Sequence, residues 1–288
     1  MAWLVEAWLG VYTGSYMPWK RFGITVAAAV ALLICYAGVL RGMAQQWAGD
    51  EDMGHGFLVP VVIAFILWRE RKRWLSLPVK PSAWGPVLVL TGACLQFFSI
   101  MGGGLFLGSV ALVVSTMGAI LWLGGFQWLR AWTLPLLLTL FMLPKLAVVY
   151  NQATLPLQLL ASRMAAGILT LTGVGVIRSG NILDVGGHQV AVAEACSGIR
   201  YLLPLGFMAV VFAYVSDSKP WMRVALLVAA APIAIAANAV RVAFSAYSPK
   251  LADGTMHQLL GLAIFVVCLA TLLLVRRICN TIVEAVHA

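Results

Sequence analysis

Long uninterrupted runs of apolar residues dominate the chain, separated by short polar segments. Five runs come early and three come late, at about 24–40, 56–68, 84–101, 105–123, 128–143, 197–215, 222–244 and 257–275. Continuous apolar runs favour membrane-spanning helices, because the strands of a membrane barrel alternate and last only about 10 residues. The pattern therefore predicts an all-α integral membrane protein with eight transmembrane helices.

The composition agrees with a membrane location. Of the 288 residues, 62% are hydrophobic and only 10% are charged, and the mean hydropathy is +0.96. Soluble domains carry about 45–50% apolar and about 25% charged residues. The net charge of +9 fits basic cytoplasmic loops better than nucleic-acid binding, so we expect no nucleic-acid partner. We expect residues 1–288 to form a single multi-pass membrane domain.

Basic residues predict the orientation, because cytoplasmic loops of membrane proteins are enriched in Lys and Arg. Of the 19 lysines and arginines, 12 flank the predicted spans on one side: Lys20, Arg21, Arg69, Arg71, Lys72, Arg73, Lys80, Arg130, Lys219, Arg223, Arg276 and Arg277. The acidic triplet Asp50, Glu51 and Asp52 falls on the other side. Both termini are therefore expected inside the cell.

The segment 144–195 does not fit the pattern of spans. By the count of spans it starts and ends outside, so a single crossing is excluded. Polar residues recur at helical spacing within 153–172, which indicates an amphipathic helix in the outer interface or a re-entrant helix. Residues 181–192 resemble a short β-hairpin that turns at Gly186 and Gly187.

Polar residues cluster where the sixth predicted span begins, in the stretch AEACSGIRYLLPL. They are Glu194, Cys196, Ser197, Gly198 and Arg200. Cys196 is expected at the outer end of the span, with Arg200 about 6 Å deeper and on the same helix face.

The last two spans are expected to bring further polar residues to the same level. Asn238 and Arg241 lie roughly 25–30 Å above the start of the seventh span, and His257 begins the eighth. Ionisable residues inside a membrane are energetically costly and typically mark functional sites. The sequence thus predicts a thiol, a guanidinium and an imidazole from three helices at the outer interface.

These three groups suit acyl transfer through a thioester. An imidazole can take the thiol proton, and a guanidinium favours the thiolate. Attack on a peptide carbonyl creates an oxyanion, which an arginine stabilises in a site of low dielectric constant. Gly198 would allow another backbone segment to approach closely.

Three motifs in series resemble the exosortase/archaeosortase family: EACSGIR (194–200), NAVRVAF (238–244) and HQLLG (257–261). HGFLVP (55–60) and the Gly-Asn pair before the hairpin are also typical of it, and the resemblance covers roughly 45–275. It implies a membrane cysteine transpeptidase with Cys196 as nucleophile, Arg241 as transition-state stabiliser and His257 as acid and base. Glu194, Ser197, Gly198, Arg200 and Asn238 are expected to support the site or bind substrate.

The resemblance also implies the partners and the location. Substrates of the family carry a C-terminal PEP-CTERM-type signal: a short motif, one membrane helix and a basic tail. Cleavage is expected at the periplasmic or exterior face of a bacterial cytoplasmic membrane, surrounded by membrane lipid. Bacterial members often accompany exopolysaccharide genes. We expect no cofactor and no metal, and the acceptor is open between water, an amine and a lipid.

Alternatives remain open at this stage. His188, in the hairpin, is a rival base to His257. The whole chain could instead be a transporter or flippase for exopolysaccharide-lipid intermediates, in which Arg200 and Arg241 bind phosphate. It could also be a non-catalytic assembly factor, in which no single polar residue is essential.

Overall fold

The structure, a computed structural model, describes residues 18–50, 52–192, 198–216, 219–248, 251 and 254–287. The described chain is mostly helical, as the apolar runs predict. It divides into two compact units, Met1–Pro144 and Lys145–Ala288.

The first unit contains eight helices in its described part. They are α1 (Pro18–Cys35), α2 (Ala37–Gly49), α3 (Leu58–Arg69), α4 (Arg71–Leu75), α5 (Trp84–Phe98), α6 (Gly104–Leu123), α7 (Phe126–Ala131) and α8 (Thr133–Leu138). Short 3₁₀ turns precede α3 at Gly54–Phe57 and follow α8 at Thr139–Met142. The first turn contains His55. The axes of α1 and α2 differ by 64°, so the first predicted span is sharply bent.

Helices α5 and α6 form an antiparallel hairpin. The chain reverses around Gly102, whose φ of +129° lies in the region that favours glycine. A Cβ atom added at Gly85 would lie 2.5 Å from the backbone of Trp122, and one at Gly92 would clash with Ser115 Oγ. Glycines at these positions therefore allow the two backbones to approach closely, which is a common way for helices to pack in membranes.

A buried tyrosine ties the bend between α1 and α2 to this hairpin. The hydroxyl of Tyr36 lies 2.7 Å from Ser115 Oγ and 3.2 Å from the carbonyl oxygens of Gly92 and Ala111. Tyr36 is buried, so these contacts satisfy a hydroxyl that would otherwise be costly in an apolar environment.

The second unit combines four helices with a small sheet in its described part. The elements are α9 (Ala147–Leu171), β1 (Val176–Ser179), β2 (Ile182–Val185), β3 (His188–Ala191), α10 (Ile199–Val215), α11 (Pro220–Tyr247) and α12 (Gly254–His287). Helix α9 begins six residues before the expected helix at 153–172. Helix α12 continues to His287, well past the predicted end of the span at 275.

The predicted β-hairpin is present and is part of a larger sheet. Strands β2 and β3 pair antiparallel, with Val185 opposite His188. Gly186 and Gly187 form the turn with φ values of +62° and +86°, as hairpin turns of this length require. Strand β1 was not predicted; it adds to the free edge of β2.

Two apolar clusters organise the second unit. One joins α10, α11 and α12 through residues that include Leu205, Leu226 and Leu272. The other joins α9, β2 and α11 through residues that include Ala165, Leu183 and Ala243. Helix α11 belongs to both clusters, so it is the central element of this unit.

Length and apolarity identify a multi-pass membrane protein. Four stretches of the described chain are long and apolar enough to cross a membrane: Trp84–Leu123, Val148–Leu171, Trp221–Tyr247 and Gly254–Ala285. The bent pair α1 and α2 makes a fifth if it is counted as one span. Trp84–Leu123 includes both α5 and α6, and further apolar helices at Gly54–Arg69, Thr133–Met142 and Ile199–Val215 are shorter.

We predict that Gly92→Val destabilises the first unit. The added side chain meets Ser115 and the carbonyl oxygen of Ala111, and overpacking of this kind costs about 1–3 kcal/mol. Chemical denaturation of the detergent-purified protein measures the effect. Gly38→Val is the matched control, because Gly38 also lies in a helix but a Cβ there meets nothing within 4 Å. Equal stability of the two variants would contradict the close packing of α5 and α6.

Candidate active site

The site forms around Arg241, a buried cation on α11. Its side chain is only 1% exposed, and that of Asn238, one helical turn earlier, is also 1% exposed. The two residues are three positions apart and therefore share a helix face. Alanines surround them in the sequence AANAVRVAFSAY, and these small residues allow the neighbouring elements to pack closely against α11.

His257, in the first turn of α12, contacts this guanidinium. Its Nε2 atom makes a very short hydrogen bond with Nη2 of Arg241, and its Nδ1 atom lies 3.0 Å from the carbonyl oxygen of Leu251. A carbonyl oxygen only accepts and a guanidinium only donates. In this arrangement Nδ1 therefore carries the hydrogen, and Nε2 offers its lone pair to Arg241.

Within the described residues, two of the three guanidinium nitrogens of Arg241 keep unused donors. Nε and Nη1 are buried and find no hydrogen-bond acceptor among the residues that the structure describes. Within the same residues Arg241 forms no ion pair with a carboxylate. Buried cationic donors are normally hydrogen-bonded, so this site is suited to an anionic or strongly accepting group that reaches Nε or Nη1.

Gly198 brings the start of α10 to the same place. It precedes the helix with a φ of +94°, and a Cβ atom added there would lie 3.2–3.3 Å from the side chain of Asn238. Glycine is favoured at this position because its backbone is left-handed and because a neighbouring side chain lies close. Asn238 thus joins Gly198 and Arg241 into one site.

The chain before the cysteine motif is also held firmly. Val192 is 1% exposed and packs in the cluster of α9, β2 and α11. Its backbone N–H donates to the carbonyl oxygen of Asn181 at 2.8 Å, and the side-chain amide of Asn181 donates to the carbonyl oxygen of Val192 at 3.2 Å. Val192 is therefore held by both packing and hydrogen bonds.

The remaining sequence-predicted residues fall into two groups. Glu194, Cys196 and Ser197 lie outside the described residues. Arg200 is half-buried in the first turn of α10, and His188 is exposed at the start of β3. In the described part of the chain His188 makes no hydrogen bond to Arg241 or His257.

Sequence reasoning missed two residues of this site. Tyr201 on α10 is 3% exposed, and its ring faces Arg241, with 5.4 Å between the ring centroid and Cζ. A Cβ atom added at Gly261 on α12 would lie 3.2 Å from the Tyr201 hydroxyl and 3.9 Å from Nη2 of Arg241. One signal was available: Gly261 follows His257 by four residues, which places both on one helix face.

A comparison with protein families identifies the chain. The model of the transmembrane exosortase family (Exosortase_EpsH) matches residues 47–274. That stretch is more than half of the chain, which therefore belongs to the transmembrane exosortase family. Membership indicates a membrane transpeptidase role, and it confirms the resemblance expected from the three motifs. A search of curated proteins and a search of solved structures return no match.

We predict that Gly198→Ala damages the site in two ways. A left-handed backbone costs an L-residue about 1–2 kcal/mol, and the new methyl group presses on Asn238. Gly187→Ala is the control, because Gly187 has a φ of +86° but a Cβ atom there meets nothing within 4 Å. Chemical denaturation should show the larger loss of stability for Gly198→Ala. A loss no larger than that of Gly187→Ala would mean that the contact with Asn238 is unimportant.

Proposed function

We propose that this protein is a cysteine transpeptidase that cleaves a C-terminal sorting signal at the outer face of the bacterial cytoplasmic membrane. The observation that carries the proposal is the Arg241–His257 pair. A buried guanidinium contacts the Nε2 lone pair of an imidazole, and two of its nitrogens have no hydrogen-bond acceptor among the described residues. This arrangement suits the stabilisation of a developing oxyanion, and Asn238, one helical turn before Arg241, lies close to Gly198 of the cysteine motif.

Cys196 is the proposed nucleophile. It precedes Gly198 by two residues, and two residues of chain reach at most about 7 Å. We therefore propose that Cys196 acts near the contact between Gly198 and Asn238. None of the four cysteines in the described residues, Cys35, Cys94, Cys268 and Cys279, belongs to the Arg241–His257 site.

The proposed reaction proceeds in two steps. The Cys196 sulfur attacks the carbonyl carbon of the scissile peptide bond, and the thiol proton passes to Nε2 of His257. The C–N bond then breaks, His257 returns the proton to the leaving amine, and a thioester remains. An acceptor that is water, an amine or a lipid attacks the thioester and restores the thiol.

In this mechanism Arg241 makes the protonation of His257 depend on the charge that develops on the substrate. Nε2 of His257 accepts from Arg241 in the structure, so it is free to take a proton only when that hydrogen bond weakens. We propose that negative charge developing on an oxyanion beside Nε and Nη1 draws the guanidinium toward it, which weakens the hydrogen bond from Nη2 and releases Nε2 at that moment. Stabilisation of this kind by a single donor accelerates acyl transfer by about 100- to 1000-fold.

We propose the topology that the basic loops predict, with eight spans and both termini inside. In it α5 and α6 are separate spans, and α10, α11 and α12 are the last three. Helix α11 has Arg241 near its end, 21 residues after its start at Pro220, which corresponds to roughly 30 Å of helix. That rise is about the thickness of the hydrocarbon core. If α11 begins at the cytoplasmic face of the membrane, Arg241 therefore lies at the outer face. Helix α9 then lies at the outer interface.

The proposed substrate is a membrane-anchored protein with a short motif such as Pro-Glu-Pro, one transmembrane helix and a basic tail. Its cleavage site lies at the outer end of that helix, at the proposed depth of Arg241. Such a substrate enters the site laterally from the membrane.

A phosphate-binding transporter or flippase is the second candidate, because the unused donors of Arg241 would also bind a phosphate. The two candidates differ in what they require of Cys196. A thioester mechanism needs its sulfur, whereas phosphate binding by Arg241 does not.

We predict that Cys196→Ala abolishes processing of a reporter that carries a tripartite C-terminal signal, while the enzyme remains in the membrane. Arg241→Gln should reduce the rate by about 100- to 1000-fold, and His257→Ala should also reduce it strongly. Immunoblots of co-expressed reporter measure cleavage. Cys279→Ala is the matched control and should be fully active. A Cys196→Ala enzyme that still processes the reporter would exclude the thioester mechanism and favour the transporter.

We predict that Cys196 is reached from outside the cell. In a variant whose other four cysteines are alanine, a membrane-impermeant maleimide should label Cys196 in intact spheroplasts. The companion variant with Cys279 as its single cysteine should be labelled only after the membrane is permeabilised. The reverse pattern would invert the proposed topology and place the site at the cytoplasmic face.

A further inference from the structure

The aromatic ring of Tyr201 faces the buried guanidinium of Arg241. The distance from Cζ to the ring centroid is 5.4 Å, within the range of about 6 Å for cation–π attraction. Both side chains are almost completely buried, at 3% and 1% exposure. Such an interaction is stronger where water is excluded.

We propose that Tyr201 is a positioning residue that holds Arg241 in the orientation in which Nη2 meets His257 and Nε and Nη1 keep their donors for the substrate. The proposal rests on the proposed function and adds a residue to its site. Tyr201 acts through Arg241 and does not itself contact the reacting atoms.

The physical reason lies in how an aromatic ring stabilises a cation. A carboxylate would neutralise the guanidinium and would occupy its N–H donors. The face of a ring attracts the positive charge through its quadrupole and leaves the donors in the guanidinium plane unused. An aromatic partner therefore keeps Arg241 charged, oriented and available for an oxyanion.

Gly261 gives the ring the space that this orientation needs. It lies one turn after His257 on α12, and a Cβ atom there would lie 3.2 Å from the Tyr201 hydroxyl. That is closer than ordinary van der Waals contact, so a larger residue would push the ring. Helix α12 thus contributes two features on one face: the imidazole that contacts Arg241 and the gap that receives the Tyr201 hydroxyl.

A purely structural role for Tyr201 would have different consequences. Tyr201 belongs to the apolar cluster of α10, α11 and α12, and any ring of the same size would fill that place. A series that changes the electron density of the ring at nearly constant size separates the two roles. Phenylalanine at position 201, followed by phenylalanine analogues with one and then three fluorine atoms, provides such a series.

The first test measures reporter cleavage for this series and for Tyr201→Leu. Tyr201→Phe should retain most activity, because the π face remains. Each further fluorine should lower the rate, and Tyr201→Leu should lower it by roughly 3- to 30-fold, with equal amounts of enzyme in the membrane. A rate that is independent of fluorination overturns the proposal, and so does a fully active Tyr201→Leu enzyme.

The second test uses Gly261. Gly261→Ala should lower the rate of cleavage, and addition of Tyr201→Phe should restore part of it, because that change removes the oxygen that the new methyl group meets. Gly167→Ala in α9 is the control, since a Cβ atom there meets nothing within 4 Å. If the two substitutions change the cleavage rate independently of each other, the space at Gly261 does not position the Tyr201 ring.

A thiol readout keeps this proposal separate from the proposed function. With Cys196 as the single cysteine, its alkylation rate should follow the same fluorine series, because a well-placed guanidinium favours the thiolate. If Cys196→Ala still cleaves the reporter while alkylation follows the series, the proposed function fails and the role of Tyr201 stands. If Cys196→Ala is inactive, and neither the cleavage rate nor the alkylation rate changes along the fluorine series, the proposed role of Tyr201 is wrong and the proposed function stands.

Discussion

The buried positive charge of Arg241 is the main physical constraint on the structure of the second unit. Arg241 lies among apolar helices, where an unpaired cation is costly and a partly satisfied one is still costly. Its partners in the described residues are an imidazole and the face of an aromatic ring, neither of which cancels the charge. The surrounding packing therefore maintains a guanidinium that is fixed in place and still able to bind an electron-rich group.

The other elements of the second unit place the remaining residues of the candidate site around Arg241. Helix α11 packs on one side with α10 and α12 and on the other side with α9 and the sheet. The first contact brings Tyr201 and His257 to Arg241 and Gly198 to Asn238. The second buries Val192, which Asn181 holds by backbone and side-chain hydrogen bonds. The chain is thus held at Val192, directly after β3.

The hydrogen bonds of His257 also determine which steps it can perform. Because Leu251 accepts from Nδ1, only Nε2 can act as a base, and Arg241 occupies that atom in the structure. In the proposed mechanism, a base that is masked until charge develops on the substrate would protect a membrane thiol from activation in the absence of substrate. The proposed coupling of base and oxyanion donor requires the direct contact between His257 and Arg241.

The sequence by itself determined the helical membrane class, the β-hairpin with its glycine turn and the shared helix face of Asn238 and Arg241. These follow from local rules: apolar runs partition into lipid, paired glycines adopt positive φ, and residues three or four apart share a helix face. Only the tertiary structure decided that Tyr201 faces Arg241, that Gly261 leaves space for its hydroxyl, and that β1 completes the sheet. Those contacts depend on how each helix is rotated about its axis and on how closely its neighbours pack, and hydrophobic periodicity encodes neither.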